Sequence, residues 1–248
     1  MLDAIILCGG RGTRLASVVS DVPKALAPVL GEPFLDHLMA LLARSGAVRS
    51  VVLAVHHLAD RIAEHYAEHP APLPIKIVPE PIPLGTGGAI MNCLGAVTGP
   101  RFLCLNGDSL CGGDIAGLAA AHAGATPGVT LGLVEVPDTS RYGRAILDDA
   151  GNVVEFAEKT ASLGPGLINA GIYVIDRAAL GTWNGRDVLS MERDILPRLV
   201  QQRQVRGTAL SGPFIDIGLP ETYAVAADFV RRLRGGERLG SASAQPSP

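Results

Sequence analysis

Phosphate chemistry is the first thing this chain offers. The apolar run Ala4-Ile5-Ile6-Leu7 passes directly into Cys8-Gly9-Gly10-Arg11-Gly12-Thr13-Arg14-Leu15, and Pro23-Lys24-Ala25-Leu26 follows. Glycines let backbone N–H groups wrap closely around an anion. Arg11, Arg14 and Lys24 add full positive charge beside them. That combination suits a polyphosphate. Two familiar phosphate loops are excluded. No Gly-x-x-x-x-Gly-Lys-Ser/Thr run occurs, and Leu15 stands where a dinucleotide fingerprint requires its third glycine. A bare Gly-x-Gly is often only a tight strand-to-helix turn. The whole run, with Pro23-Lys24 behind it, is far more specific.

Lysine is also scarce. Of 21 Lys+Arg, only Lys24, Lys76 and Lys159 are lysines, and two of these fall in motifs singled out here. Lysine is a compact point charge, whereas arginine is a planar fork.

With Pro23-Lys24, the glycine run resembles the signature of the sugar-phosphate nucleotidyltransferases, which join a nucleoside triphosphate to a sugar 1-phosphate. Such a reaction brings two anions together, so repulsion must be screened and the attack aligned. A hard divalent cation held by carboxylates meets that need. Asp108 follows an apolar strand and a glycine, and Asp216 sits in Phe214-Ile215-Asp216-Ile217-Gly218. An isolated Asp-Gly pair is more often a turn. Two within family-like strings are read as ligands. The resemblance assigns Asp108 and Asp216 to Mg²⁺, and Arg14 and Lys24 to the phosphates. Leu7, Gly9, Gly10, Gly12 and Thr13 fall to the nucleotide. Arg14, Lys24 and Asp108 form the implied catalytic set. On the sugar side, Glu158 of Phe156-Ala157-Glu158-Lys159 would accept from sugar hydroxyls and Lys159 would bind the 1-phosphate. Gly143, after Tyr142, lets the sugar approach the backbone, and Asn169 supplies an amide. The family usually continues Glu-Lys with proline, whereas Thr160 stands here.

Base choice rests on Glu80-Pro81-Ile82-Pro83-Leu84-Gly85-Thr86-Gly87-Gly88. Guanine presents two adjacent donors that one carboxylate accepts as a bidentate pair. Uracil and thymine present a single ring N–H beside carbonyls. Glu80 therefore favours GTP if it faces the base; the alternative is a helix cap or a solvent-facing side chain. Gly85 and Thr86 complete the implied nucleotide set. This string and Phe214 to Glu221 look most like the heptose 1-phosphate guanylyltransferases. The resemblance spans residues 3–234. It implies GTP and a sugar 1-phosphate as substrates, with D-glycero-D-manno-heptose 1-phosphate first, and a homodimer by analogy. A short uridylyltransferase or mannose 1-phosphate guanylyltransferase shares almost every motif. A silent regulatory homologue binding nucleotide sugar would lack part of the set formed by Arg14, Lys24, Asp108, Lys159 and Asp216.

The elements that must position these residues alternate. Strands are predicted near 3–8, 50–55, 75–79 and 101–106, and helices near 34–45, 58–68 and 86–97, the first closed by Gly46. Alternation of this kind gives an α/β, Rossmann-like, doubly wound and mostly parallel sheet, whose ligands bind beyond the carboxyl ends of its strands. Beyond residue 128 the texture turns β-rich. A strand is predicted over 129–136, a hairpin over 145–156 turning at Asp149-Ala150-Gly151-Asn152, and a strand over 169–175. Helices follow near 190–203 and 220–234. This is read as a small sugar-binding subdomain of a GT-A-like nucleotidyltransferase fold. One domain over 1–234 is expected, with a nucleotide part over 1–125 and a sugar-phosphate part over 126–234. The tail 235–248 is read as disordered from its Gly, Ser, Ala and Pro content. No hexapeptide repeat occurs, so no β-helix domain is expected.

Composition excludes other classes. With 248 residues the chain can bury a sizeable core. A net charge of -3 gives no footprint for nucleic acid. No apolar stretch reaches the ~20 residues of a membrane span, and no secretory leader pattern opens the chain. Cys8, Cys93, Cys104 and Cys111 lack metal-site spacing, so free thiols in a reducing cytoplasm are expected. His65 and His69, four apart, lack a third ligand in register and are read as a solvated helical face.

Overall fold

Leu2–Leu7 forms β1, and its Ala4, Ile5 and Ile6 are fully buried. An apolar run with no polar alternation must be covered on both faces, which is the condition of a central parallel strand. The computed structural model describes residues 1–123, 128–157, 164–183 and 188–235. After the glycine loop, a hairpin of β2 (Pro28–Val29) and β3 (Glu32–Pro33) leads into α1 (Phe34–Ser45). Gly46 closes α1 at φ +64°, the left-handed cap that glycine adopts without cost. Then come β4 (Val48–Val55), α2 (Ala59–Glu68), β5 (Ile75–Pro79), α3 (Gly85–Cys93) and β6 (Arg101–Asn106). The parallel order is β5-β4-β1-β6.

The remaining chain widens this sheet. A short β7 (Ser109–Cys111) precedes α4 (Ile115–Ala123) and β8 (Val129–Val136). The hairpin of β9 (Arg144–Leu147) and β10 (Val153–Ala157) turns through Gly151 at φ +79°, where Asp148 accepts the N–H groups of Ala150 and Asn152. The long β11 (Gly166–Asp176) runs antiparallel to β6 on one edge and to β8 on the other. A π-helical turn over Met191–Ile195 enters α5 (Leu196–Gln201), and β12 (Val205–Ala209) joins β8 in parallel. Last are β13 (Phe214–Asp216), α6 (Pro220–Ala224) and α7 (Ala226–Gly235). The helix predicted near 220–234 is thus broken at Val225. The expected doubly wound architecture is present. Its parallel strands carry the glycine loop, and its antiparallel strands supply the β-rich part.

The two faces of the sheet bury separate cores, as the period of two along β1 requires. Ile6 packs with Phe34, Leu38, Ile62 and Phe229 from α1, α2 and α7. Ile5 packs with Ile90, Tyr173, Leu196 and Leu199 from α3, β11 and α5. Asp3 pins the strands laterally: its carboxylate accepts from Arg49 at 2.7 Å, Ser50 at 2.6 Å and the Thr98 hydroxyl at 2.8 Å. Among the described residues no helix is long and apolar enough to cross a membrane.

Candidate active site

A cleft of about 520 Å³ opens beyond the carboxyl ends of β1 and β6. Arg14, Lys24 and Asp108 reach it from the segments after β1 and β6; Arg141, Tyr142 and Gly143 come from the segment before β9 and Asn169 from β11; Asp216 and Gly218 come from β13 and the turn after it. The sequence-predicted phosphate, metal and sugar residues that the structure describes therefore meet largely in one place.

The glycine loop is tied down at its root. The Leu7 carbonyl accepts the Gly107 N–H at 3.0 Å, so the loops after β1 and β6 are fixed to each other. Gly12 has φ +61°, and its carbonyl accepts the N–H groups of Leu15 and Ala16. The stem of Lys24 packs where a Gly12 side chain would stand. Thr13 and Arg14 are exposed, Arg14 at the cleft. Nothing approaches Gly10, while any side chain at Gly9 would collide with the Glu80 carboxylate. On the far side of Lys24, Arg11 and His57 flank a smaller hollow of about 100 Å³.

Lys24 Nζ lies 2.5 Å from Asp108 Oδ2. Asp216 is delivered beside Asp108 by pairing of two three-residue strands. Asp216 faces Ser109 across β13 and β7, and the Ile217 N–H donates to the Asp108 carbonyl at 2.9 Å. Asp216 Oδ1 accepts the Gly218 N–H at 2.9 Å, and Oδ2 accepts the Tyr142 hydroxyl at 2.7 Å. Burial, and then the Asp216 charge, push the Tyr142 phenol well above its ordinary pKa, so it remains a donor. Two oxygen-donor carboxylates facing a phosphate pocket match what Mg²⁺ takes from proteins, the rest of its shell being water and substrate phosphate. Among the described residues no group of three His, Cys, Asp or Glu forms an all-protein metal cage.

Glu80 combines features of both readings. Its Oε2 caps the Leu84 N–H at 3.0 Å, while Oε1 lies against Gly9 at the glycine loop. Glu80 does not line the cleft itself. Burial raises its pKa, against the opposing pull of the Leu84 N–H and His56.

Gly85 and Thr86 are clasped from a distance. Gly85 has φ +73°, and a Cβ there would lie 2.5 Å from the Leu189 carbonyl oxygen. That carbonyl accepts the N–H groups of Gly87 and Gly88, and the Leu189 N–H returns to Leu84. Thr86 donates to Glu192 Oε2 at 2.8 Å and accepts the Met191 N–H at 2.8 Å. Glu192 Oε1 accepts the Tyr173 hydroxyl, whose oxygen accepts from Asn169 Nδ2 at 2.7 Å. Asn169 Oδ1 takes the Gly171 N–H at 3.0 Å, which fixes the amide orientation. Its second Nδ2 hydrogen is left for the cleft, so Asn169 presents a donor there. The Gly143 carbonyl holds the Asn169 N–H at 2.8 Å.

Glu158 and Lys159 lie outside the described residues, as does 236–248 of the tail. Glu192 and Arg141 are cleft residues that sequence reasoning missed. Glu192 reads as an ordinary acid in a first helical turn. Arg141 carried one available signal, its place directly before Tyr142-Gly143. His65, expected on a solvated face, instead meets Asp36 at 2.9 Å.

Comparison with known proteins identifies the family. The nucleotidyl transferase family matches residues 3–232. Mannose-1-phosphate guanylyltransferase of Mycobacterium tuberculosis is 36% identical, across 100% of this chain and 72% of the relative. D-glycero-alpha-D-manno-heptose 1-phosphate guanylyltransferase of Campylobacter jejuni is 35% identical, across 90% of this chain and 97% of the relative. The crystal structure of HddC from Yersinia pseudotuberculosis superimposes with a TM-score of 0.81 at 33% identity, covering 92% of this chain and 99% of that one. HddC has also been crystallised complexed with GMP-PN. Glycine loop, paired aspartates and these likenesses lead to one conclusion: the chain belongs to the nucleotidyl transferase family.

Proposed function

We propose that the protein transfers guanylyl from GTP to a sugar 1-phosphate, giving a GDP-sugar and pyrophosphate, with Mg²⁺ as cofactor. The observation that carries this reading is the meeting of Arg14 and Lys24 with Asp108 and Asp216 in one cleft. A phosphate oxygen of the sugar 1-phosphate attacks the α-phosphorus. The bond to the bridging oxygen breaks, and its electron pair leaves with pyrophosphate. Lys24 and Arg14 bind the nucleotide phosphates, and Lys24 offsets charge growing at the α-phosphate. Gly9, Gly10, Gly12 and Thr13 bring backbone N–H groups to the same anion. Asp108 and Asp216 would hold Mg²⁺, which supplies Lewis-acid charge neutralisation when bound. Glu80 accepts from the guanine edge through the oxygen not used by Leu84. Gly143 and Asn169 receive the sugar, joined by Glu158 and Lys159.

The relatives of 35% and 36% identity support two sugars equally. D-glycero-D-manno-heptose 1-phosphate is the first assignment and mannose 1-phosphate the second. Residues 1–125 would serve the nucleotide and 126–234 the sugar phosphate, within one domain. The cytoplasm, which supplies GTP and keeps thiols such as the four free cysteines reduced, is the proposed compartment. The test is pyrophosphate release with Mg²⁺ across four nucleoside triphosphates and a panel of sugar 1-phosphates. GTP with either manno-configured sugar supports the reading. Preference for UTP removes the role of Glu80, and silence with every pair moves the protein to the regulatory homologues.

A further inference from the structure

Arg141 stands where a second cation for the acceptor phosphate is needed. It belongs to the loop between β8 and β9, which also brings Tyr142 and Gly143 to the cleft. Asp216 separates it from Lys24. Gly218 places Lys24 on one side of Asp216: a Cβ at Gly218 would lie 2.6 Å from Asp216 Oδ1 and 3.3 Å from Lys24 Nζ. Arg141 approaches the other oxygen, Oδ2. The cleft therefore has a cation on each flank of its central carboxylate.

The hold of Asp216 on Arg141 is loose. Nη2 reaches Oδ2 only at 3.3 Å, longer than the 2.7–2.9 Å of a strong charge-assisted bond. Tyr142 donates to the same oxygen at 2.7 Å and fixes its orientation without help. Among the described residues the guanidinium makes no other hydrogen bond. Its carbon lies 5.4 Å from the centroid of the Tyr142 ring, which orients it by cation–π attraction. The backbone beneath is pinned, with the Ser140 N–H on Asp138 and the Tyr142 N–H on the Thr139 carbonyl. Donors with no second partner among the described residues, a fixed base and a side chain 32% exposed at the cleft describe a group arranged to take an anion. A guanidinium is also the side chain that grips a phosphate through two parallel bonds.

We propose that Arg141 binds the phosphate of the sugar 1-phosphate and so selects a 1-phosphorylated acceptor; this rests on the guanylyltransferase reading above. Arg141 and Lys24 then share the two reacting anions, Arg141 taking the acceptor and Lys24 the nucleotide. Steady-state kinetics of Arg141→Gln and Arg141→Lys, with GTP and mannose or manno-heptose 1-phosphate, test it. Calorimetric titration of the same sugar 1-phosphate, in the presence of a non-hydrolysable GTP analogue, gives a readout independent of turnover. The expected result for Arg141→Gln is a KM for sugar 1-phosphate raised at least tenfold, a matching loss of affinity, and a KM for GTP within twofold of wild type. Arg141→Lys should recover part of the loss. A changed Mg²⁺ requirement with unchanged sugar 1-phosphate affinity would make Arg141 a mere counter-ion of Asp216 and overturn the proposal alone. A wild type inactive with every nucleotide and sugar pair would overturn the guanylyltransferase reading and the proposal with it.

Discussion

Lys24 and Asp108 form an ion pair in which Nζ and Oδ2 lie 2.5 Å apart, both facing the cleft. Each neutralises the other in the free protein. In the proposed reaction, nucleotide entry would draw Lys24 onto a phosphate and free Asp108 for a cation. Asp108→Asn removes the charge and keeps the shape. Turnover should fall by about 10²–10³-fold, the scale of losing one preorganised electrostatic contact. Binding of a GTP analogue without Mg²⁺ should change by less than tenfold. Pyrophosphate release and calorimetry measure the two quantities, and a variant with near-normal kcat would exclude Asp108 from the chemistry.

Glu80 should read guanine through a carboxylate, not an amide. Glu80→Gln is expected to erode the preference for GTP over UTP by about 10–100-fold, the range of a hydrogen bond to a charged acceptor. Burial raises the Glu80 pKa above its ordinary 4.5, the Leu84 N–H and His56 opposing. The proton therefore arrives at a higher pH than on an exposed glutamate. KM for GTP should rise as pH falls through that raised value, and Glu80→Gln should flatten this limb of the profile. The same shift has a stability cost. Folding favours protonated Glu80, so its contribution is greatest below 4.5 and is lost as pH rises through the folded value.

Asp3 is a stability residue with the opposite sign. The Arg49 contact, with help from Ser50 and Thr98, outweighs burial and holds its carboxyl well below the ordinary carboxylate pKa. Its contribution is present above the unfolded value of 3.8 and is lost as pH falls toward the folded value. Asp3→Ala leaves Arg49, Ser50 and Thr98 without their acceptor. Denaturant unfolding should show a loss of about 1–3 kcal/mol, the cost of leaving partly buried donors without their acceptor. A loss under 1 kcal/mol would mean that water replaces the carboxylate.

Gly85 cannot carry a side chain without moving the Leu189 carbonyl. Gly85→Ala combines a positive φ with a 2.5 Å contact to backbone. Thermal melts should show destabilisation of about 1–3 kcal/mol. KM for GTP should rise as well, because Thr86 loses its register with Glu192. A normal melt together with a normal KM would mean that the clasp at Leu189 is dispensable.

The thiols should be silent. Burial pushes Cys93 up to about 12 and Cys111 up to about 11, and it raises Cys8 and Cys104 further. Reaction with an aromatic disulfide at pH 8 should be slow in the native protein and rapid in denaturant. Fast loss of activity on Cys8 modification would show that the glycine loop opens.

Local punctuation made much of the fold legible. Helix α1 begins after Pro33 and ends at Gly46, matching residues 34–45. Strand β8 covers the predicted 129–136, a run rich in Val and Leu. Arg14, Lys24, Asp108, Asp216, Gly143 and Asn169 are legible as motifs, and the cleft unites them, whereas Glu80 and the loop glycines Gly9, Gly10 and Gly12 lie outside its lining. What escaped was pairing at a distance. Strands β7 and β13 are only three residues long, too short to show a period. Thr86 and Glu192 are 106 residues apart, and neither carries a local mark of the other. His65 looked solvent-facing because its partner Asp36 lies on another helix.

Strand β11 belongs to both parts of the molecule. Its Ile172–Asp176 stretch pairs with β6, next to the strand that carries the glycine loop, while Ile168 pairs with β9, which follows Arg141 to Gly143. Gly171 bends the strand between them at φ +68°, close against Asn106. One unbroken backbone crosses the cleft floor, so the two walls cannot swing apart as separate bodies without tearing ladder hydrogen bonds. The enzyme is built as a vice with a fixed bed. Adjustment to substrate falls to side chains and rim loops, and sugar selectivity should move with exchanges in those loops while the bed stays unchanged.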